Sequence, residues 1–288
     1  MFRPQKQTRK QFINSSHVGN YVDIGEGMRM HYLDEGSGEV ILLIHGLGQS
    51  LYTWRNNFHE LAKRYRVVAV DLLGFGYSDH VDIDYTVDEI TEALRLFMEG
   101  LGISRAHVVA FSTGCIYALN LAGKYPPNVD RLILLSPGGL PEKTATFWMN
   151  MVVSGTFTTT ALALFSVKKM VNVLMDVFFD KTCITPDVIS NYYEPLASKE
   201  ARRCLARAII NFDTEPVMER LRDINNHTLI LGAGDDTWHP AEDMKFFAMP
   251  IANSYDNIIR NCGHMMHEEK ADKVNATIIE FLEWNGRI

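Results

Sequence analysis

Three short stretches of this chain carry side chains that together could perform nucleophilic catalysis. In the first, a short valine-rich apolar run leads into Ser112, and apolar residues with helical spacing follow. A serine at a sharp strand-to-helix turn presents its hydroxyl at the end of a sheet, beside helix amides that favour developing negative charge. The stretch matches most of the G-x-S-x-G pattern of such turns, with Ala110 replacing the first glycine and Gly114 as the second. Taken alone, Ser112 also fits an ordinary helix N-cap.

The acid and the base that such a serine needs follow later in the chain. A histidine must accept the serine proton, and a carboxylate must orient that histidine. Residues 228–231 predict a buried strand, and the loop after it carries adjacent carboxylates. We assign Asp235 as the acid, with Asp236 as the alternative. Residues 257–259 predict a further strand, which is followed by His264, so the order along the chain is serine, acid, histidine.

The predicted elements bring these groups to one edge of a sheet. Short apolar runs, typical of strands buried on both faces, occupy residues 40–44, 66–70, 106–111, 131–135 and 228–231. Their alternation with helical patterns predicts an α/β fold, with a mainly parallel sheet and helices on both faces. His45, Asp71 and Ser112 directly follow such strands, where the carboxyl ends collect reactive groups. We expect Asp71 to form a turn rather than to act in catalysis.

The alternation of strands and helices stops in the middle of the chain. Helical patterns cover residues 147–153, 161–179, 186–196 and 199–210. We therefore divide the chain into a first core part (1–139), a helical cap (140–222) and a second core part (223–288). Residues 144–167 carry no charge but are rich in Thr, Ser, Asn and Gly, so we predict helices packed over an apolar surface rather than stable membrane insertion.

Composition excludes several classes of function. The 288 residues carry a net charge of −7, which argues against nucleic acid as the main partner. The four cysteines are scattered without a C-x-x-C pair, as is typical of a reducing compartment, so we expect a cytoplasmic protein. The glycine pairs Gly46-x-Gly48 and Gly74-x-Gly76 lack the third glycine of dinucleotide sites. His59-Glu60 lacks a second zinc ligand, and we expect neither a metal nor a cofactor.

The joint order of the motifs resembles the α/β-hydrolase fold family over nearly the whole chain. The resemblance is carried by His45-Gly46-Leu47-Gly48, Asp71-x-x-Gly74-x-Gly76-x-Ser78, the Ser112 turn, Gly232-x-x-Asp235 and Gly263-His264. It implies an eight-stranded sheet with antiparallel first strands and a helical cap inserted after the sixth strand. It also implies an oxyanion hole formed by the backbone N–H groups of Leu47 and Thr113. Serine at the turn, where related branches have aspartate, disfavours epoxide and haloalkane chemistry.

We expect a serine hydrolase that cleaves a small, largely apolar carboxylic ester through an acyl-enzyme on Ser112. The predicted cap is rich in apolar side chains, and we expect Phe111 and Trp148 to line the substrate pocket. The same triad supports carbon–carbon bond hydrolysis, acyl transfer or cyclisation, and some proteins of this fold are small-molecule receptors with an intact triad. We expect His267 to be exposed. A homodimer is compatible with the sequence, although no motif indicates one.

Overall fold

Eight β-strands form one sheet in the computed structural model, which describes residues 19–140 and 165–284. In chain order the strands are β1 (Asn20–Asp23), β2 (Arg29–Glu35), β3 (Val40–Ile44), β4 (Arg66–Val70), β5 (Ala106–Phe111), β6 (Val129–Leu135), β7 (Thr228–Ala233) and β8 (Ser254–Ile259). Their order across the sheet is β1-β2-β4-β3-β5-β6-β7-β8. β2 is antiparallel to β1 and β4, and the other pairs are parallel. The predicted fold is confirmed, including the antiparallel first strands.

Helices and single helical turns connect these strands. The α-helices among the described residues are α1 (Phe58–Leu61), α2 (Val87–Gly100), α3 (Gly114–Lys124), α4 (Val167–Val177), α5 (Pro186–Tyr193), α6 (Lys199–Ile210), α7 (Glu215–Glu219), α8 (Lys245–Ala248), α9 (Met266–Glu269) and α10 (Ala271–Glu283). The 3₁₀ turns are Leu51–Trp54, Pro126–Asn128, Lys181–Cys183, Glu194–Leu196, Leu221–Asp223 and Ala241–Met244. In the part of the chain that the structure describes, no helix is both long and apolar enough to cross a bilayer.

The parallel strands bring their carboxyl ends to one edge of the sheet. Every residue of β5 and of β7 is buried, as expected for strands that are covered on both faces. The loops after β3, β5, β7 and β8 contain His45, Ser112, Asp236 and His264 in turn. This edge is therefore where the chain concentrates groups that can react.

An inserted segment (residues 165–223) carries helices α4 to α7 between β6 and β7. Ion pairs and backbone hydrogen bonds attach this segment to the rest of the molecule. Arg207 Nη1 lies 2.6 Å from Asp82 Oδ1. The carboxylate of Glu269 accepts hydrogen bonds from the N–H groups of Phe179 and Asp180, at 3.1 and 2.8 Å. The N–H of Gly263, next to His264, donates to the same carboxylate at 2.9 Å, so the end of α4 and the histidine loop share one anchor.

A buried polar network around Glu268 also joins the inserted segment to the core. The Glu268 side chain is 1% exposed and pairs with the guanidinium of Arg55. The Tyr192 hydroxyl, at the end of α5, donates to the Glu268 carboxylate. Thr53 Oγ1 lies 3.0 Å from both the Tyr192 hydroxyl and Glu268 Oε1. A buried carboxylate is tolerated here because a cation and two hydroxyl groups surround it.

The prediction that His267 is exposed is wrong. Its side chain is fully buried, with Nε2 2.6 Å from Thr53 Oγ1. The rings of Trp54 and Phe111 cover it, with centroids 4.8 and 4.3 Å from the imidazole. Burial, aided by the nearby Arg55 charge, holds the pKa of His267 well below its usual value, so this histidine stays neutral. Its position in the Glu268 network explains why it lies inside.

We predict that Glu268→Gln lowers the free energy of unfolding by about 3 kcal/mol, because it leaves the Arg55 charge buried without a counter-ion. Chemical denaturation with urea measures this change. The matched control is Glu60→Gln, which removes an exposed carboxylate from its pair with Lys63 and costs under about 1 kcal/mol. Equal and small losses of unfolding free energy in the two variants would show that the buried Arg55–Glu268 pair stabilises the fold no more than an exposed ion pair does.

Candidate active site

Ser112 lies at a strained turn between β5 and α3. Its backbone has a φ of +55°, in the left-handed region that non-glycine residues rarely adopt. Its N–H donates to Leu135 O at 3.0 Å, which continues the β5–β6 pairing up to the turn. The structure thus holds the serine side chain at the carboxyl end of β5, and strain of this kind is typical of functional positions.

Two glycines explain why the chain can pass so close to this turn. A Cβ atom at Gly114 would lie 2.5 Å from the backbone oxygen of His45, so only glycine fits where α3 crosses the end of β3. A Cβ atom at Gly46 would lie 3.1 Å from Cβ of Ser112. Ala110, which replaces the first glycine of the motif, is fully buried within β5, where its methyl group is accommodated.

His264 connects Ser112 to a carboxylate, and that carboxylate belongs to Asp236. Ser112 Oγ lies 3.0 Å from His264 Nε2, and His264 Nδ1 lies 2.7 Å from Asp236 Oδ2. A carboxylate only accepts hydrogen bonds, so Nδ1–H donates to Asp236 and Nε2 is left to accept the serine proton. The assignment of Asp235 as the acid is wrong, since its side chain is exposed and Asp236 is the residue bonded to the histidine.

The turn after β7 explains this one-residue correction. The N–H of Asp235 donates to Cys262 O at 3.0 Å, which extends the contact between the loops after β7 and β8 and directs the Asp235 side chain outward. The next residue then faces the histidine. Asp236 Oδ1 accepts the N–H groups of Trp238 and His239, both at 2.9 Å. It therefore also caps the following turn.

The electrostatics of Asp236 keep it ionised. Burial alone raises its pKa, but the positive charge available on His264 and the hydrogen bonds from His264 and the His239 N–H outweigh burial. The pKa of Asp236 is lowered to about 2. The carboxylate is therefore charged at neutral pH and able to stabilise an imidazolium at His264.

Two backbone N–H groups next to Ser112 are available to a bound oxygen atom. Leu47 and Thr113 both border the cavity described below. Within residues 19–140 and 165–284, neither N–H donates to a protein acceptor. The predicted oxyanion-hole residues thus border the same cavity as the serine, and such a site requires free N–H donors there.

His45 fixes the conformation of the loop that presents Leu47. The N–H of Leu72 donates to His45 Nε2 at 3.0 Å, which leaves the proton of the neutral ring on Nδ1. Nδ1–H then donates to Gly46 O at 2.7 Å. Burial lowers the pKa of His45, so the ring stays neutral in this role.

A cavity of about 380 Å³ opens above Ser112 and His264. Much of its wall is apolar and comes from the inserted segment, including Met170, Leu174, Val177, Leu205, Ile209 and Phe212. Phe111 does not border the cavity, contrary to the prediction. The Phe111 side chain is instead fully buried and packs on the His264 ring, with the two ring centroids 4.7 Å apart. The predicted lining residue Trp148 lies outside the described residues.

Several residues that border the cavity are not among those predicted from the sequence. Gln49 follows the His45–Gly48 motif by one position, and its place in the oxyanion loop was the available signal. Trp238 and His239 follow Asp236 in the turn that it caps. Tyr192 comes from α5, far along the chain, and no local pattern marks it.

One group of side chains among the described residues has a spacing that suits a metal ion, and it lies away from Ser112. It consists of Glu39, His107 and Asp130, at the amino ends of β3, β5 and β6. Asp130 already pairs with Arg105, at 2.6 Å. The group thus lies at the amino ends of the strands, whereas Ser112 lies at a carboxyl end. It therefore has no part in the chemistry of the serine.

Comparison with known proteins gives a consistent result. A family model for the alpha/beta hydrolase fold matches residues 39–271. The chain is 29% identical over 288 residues to a 2-hydroxy-6-oxo-6-phenylhexa-2,4-dienoate hydrolase of Burkholderia cepacia, covering 94% of this chain and 98% of the relative. It is 30% identical over 274 residues to a 2-hydroxy-6-oxo-6-(2'-aminophenyl)hexa-2,4-dienoic acid hydrolase of Metapseudomonas resinovorans, covering 92% and 91%.

A solved structure agrees with these relatives. The meta-cleavage product hydrolase of Pseudomonas fluorescens IP01 superposes with a TM-score of 0.78 at 25% identity, covering 92% of this chain and 97% of that one. The strand order, the serine turn and the family match over most of the chain lead to one conclusion: this chain belongs to the α/β-hydrolase fold family and is a hydrolase.

Proposed function

We propose that the protein is a serine hydrolase that cleaves a neutral carboxylic ester with a largely apolar acyl group. One observation carries this proposal. Ser112 Oγ, His264 and Asp236 form a continuous hydrogen-bonded line beneath an apolar cavity, with distances of 3.0 and 2.7 Å. That arrangement activates a serine for attack on a carbonyl group.

In the first half of the reaction, His264 Nε2 takes the Ser112 proton as Oγ forms a bond to the carbonyl carbon. The carbonyl oxygen becomes an oxyanion and accepts the N–H groups of Leu47 and Thr113. Asp236 stabilises the imidazolium. His264 then gives the proton to the leaving alkoxide as the carbon–oxygen bond breaks, and the acyl group remains on Ser112.

In the second half, neutral His264 removes a proton from water, and the resulting hydroxide attacks the acyl carbon. The same two N–H groups hold the second oxyanion. The bond from the carbon to Ser112 Oγ breaks, and the serine regains its proton from His264. The products are a carboxylic acid and an alcohol, and the enzyme returns to its starting state.

The lining of the cavity supports a neutral substrate. Among the lining residues that the structure describes, Lys169 is the one lysine or arginine, and it is exposed on α4. Most of the wall from the inserted segment is apolar, so it stabilises an alkyl or aryl group by burial. We propose that the inserted segment acts as the cap over the site, as the division at residues 140 and 222 implies.

A second candidate function is hydrolysis of a carbon–carbon bond in a 2-hydroxy-6-oxo-dienoate. The observation in its favour is the similarity to the Burkholderia cepacia hydrolase over nearly the full length of both chains. Such a substrate carries a carboxylate, which needs a cation in the site. Lys169 is the cation that the described lining offers.

Turnover of matched substrates by wild type and two lysine variants separates these functions. We expect 4-nitrophenyl esters, tested from acetate to decanoate, to be cleaved with a preference for medium chains, and Lys169→Met to leave their kcat/KM within about twofold. Lys168→Met, at an exposed residue that does not border the cavity, is the control. The carbon–carbon function is supported instead if 2-hydroxy-6-oxo-6-phenylhexa-2,4-dienoate is the better substrate and loses about tenfold in kcat/KM through Lys169→Met alone.

A further inference from the structure

Gln49 places a polar group at the apolar cavity, and its two ends have different partners. The oxygen Oε1 accepts the N–H of Gly46 at 3.1 Å, which fixes the orientation of the carboxamide, because only oxygen can accept there. The nitrogen Nε2 has Met265 Sδ as its partner, at 3.6 Å. A thioether is a weak acceptor, so within the part of the chain that the structure describes the donor capacity of Gln49 is largely unused.

The Gln49 carboxamide lies close to the Ser112 side chain. A Cβ atom at Gly46 would lie 3.1 Å from Gln49 Oε1 and 3.1 Å from Ser112 Cβ, so the carboxamide and the serine side chain share one neighbour. Met265, on the other side of Gln49, directly follows His264 in the chain. Gln49 therefore bridges the loop of the oxyanion hole and the loop of the catalytic histidine, and it borders the same cavity as both.

The other oxygens of an ester already have donors in the proposed reaction. The carbonyl oxygen is bound by the Leu47 and Thr113 amides, and the leaving oxygen receives its proton from His264. A substrate that fills the cavity covers Gln49, and an amide N–H covered by apolar groups without an acceptor is costly. The acceptor that relieves this cost belongs to the acyl chain.

We propose that Gln49 is a substrate-binding residue whose Nε2–H donates to an oxygen on the acyl chain, close to the scissile carbonyl. The substrate class is then an acyl compound that carries a hydroxyl, ether or keto oxygen near the carbonyl and is apolar beyond it. This inference depends on the proposed serine-hydrolase function, and it adds a specificity that the triad does not determine.

A pair of phosphonates that differ by one atom tests the inference. Ethyl 4-nitrophenyl propylphosphonate and its methoxymethyl analogue have chains of similar shape, with oxygen replacing one methylene group in the second. In each reaction Ser112 Oγ bonds to phosphorus, 4-nitrophenolate leaves and His264 takes the serine proton. The rates with hydroxide in solution give the intrinsic reactivity ratio of the two reagents. Peptide mapping verifies that Ser112 is the labelled residue.

After correction for that ratio, we expect wild type to favour the methoxymethyl reagent by about five- to tenfold, the effect of one hydrogen bond. Gln49→Met should abolish the preference, and any general disturbance of the loop cancels because both reagents experience it. Gln49→Glu keeps an oxygen to accept the Gly46 N–H but removes the donor, so it should reverse the preference. Asn172→Leu, which removes a second carboxamide from the cavity lining that the structure describes, should leave the ratio unchanged.

Two results overturn the inference and are distinguishable. If Ser112 is labelled but the corrected ratio is the same in wild type, Gln49→Met and Gln49→Glu, the serine-hydrolase function stands and the role of Gln49 is refuted. If neither reagent labels Ser112 in wild type, the proposed function and the inference both fail.

Discussion

Replacing Asp236 with Asn lowers kcat for ester hydrolysis by about 10⁴-fold, whereas the same change at Asp235 leaves kcat within about twofold. The two aspartates are neighbours in sequence, but only Asp236 is bonded to His264 Nδ1, at 2.7 Å. An amide at position 236 can donate to Nδ1, which would move the imidazole proton to Nε2. The histidine could then no longer accept the serine proton.

Steady-state kinetics with 4-nitrophenyl butanoate measures both variants, and circular dichroism checks that they are folded. Asp235→Asn is a close control, since it makes the same chemical change one residue away on an exposed side chain. The reverse pattern, with Asp235 essential and Asp236 dispensable, would mean that the turn after β7 directs Asp235, and not Asp236, toward His264.

Replacing Ser112 with Ala lowers kcat by about 10⁶-fold, which is the largest effect that we expect of any single change. The variant loses the atom that bonds to the acyl carbon, so neither the acyl-enzyme nor the first oxyanion can form as proposed. The amides of Leu47 and Thr113 remain, and the residual rate over that in water comes from them and from binding.

Ser112→Ala is assayed before and after treatment with a fluorophosphonate, which inactivates contaminating serine hydrolases but has no Ser112 hydroxyl to label. The two preparations should show the same residual rate. A Ser112→Ala variant with a tenth or more of the wild-type kcat would exclude Ser112 as the nucleophile.

The sequence predicts most of what positions the reacting groups. Buried strands are short apolar runs, and the loops that follow β3, β5 and β8 contain His45, Ser112 and His264, so the edge of the sheet that bears the chemistry can be predicted from local patterns alone. Gly46 and Gly114, the two glycines at the serine turn, can also be recognised from local sequence. Gly114 is needed where the start of α3 passes the backbone of His45, and Gly46 lies against the Ser112 side chain.

The errors all concern how side chains are directed by contacts between distant parts of the chain. The choice between Asp235 and Asp236 depends on a backbone hydrogen bond to Cys262, in the loop after β8. The Phe111 side chain lies on the face of β5 on which His264 and His267 pack, and Trp54 covers His267. None of these pairings leaves a periodic signal in the sequence.

The cavity illustrates the same limit. Its wall combines the loop after β3 with helices that follow β6, and a residue such as Tyr192 reaches it because the Glu268 network holds the end of α5 against the core. Composition predicts an apolar site over the serine. Which side chains form it depends on how the inserted segment is seated on the sheet.

In the proposed reaction, Ser112 becomes covalently acylated during turnover. The most direct test is rapid acid quenching of wild type during hydrolysis of 4-nitrophenyl butanoate, followed by mass spectrometry of the Ser112 peptide. We expect one butanoyl group on Ser112, formed together with a burst of 4-nitrophenolate and absent from Ser112→Ala. Turnover with an acyl group on another residue, or hydrolysis by Ser112→Ala at the wild-type rate, would contradict it.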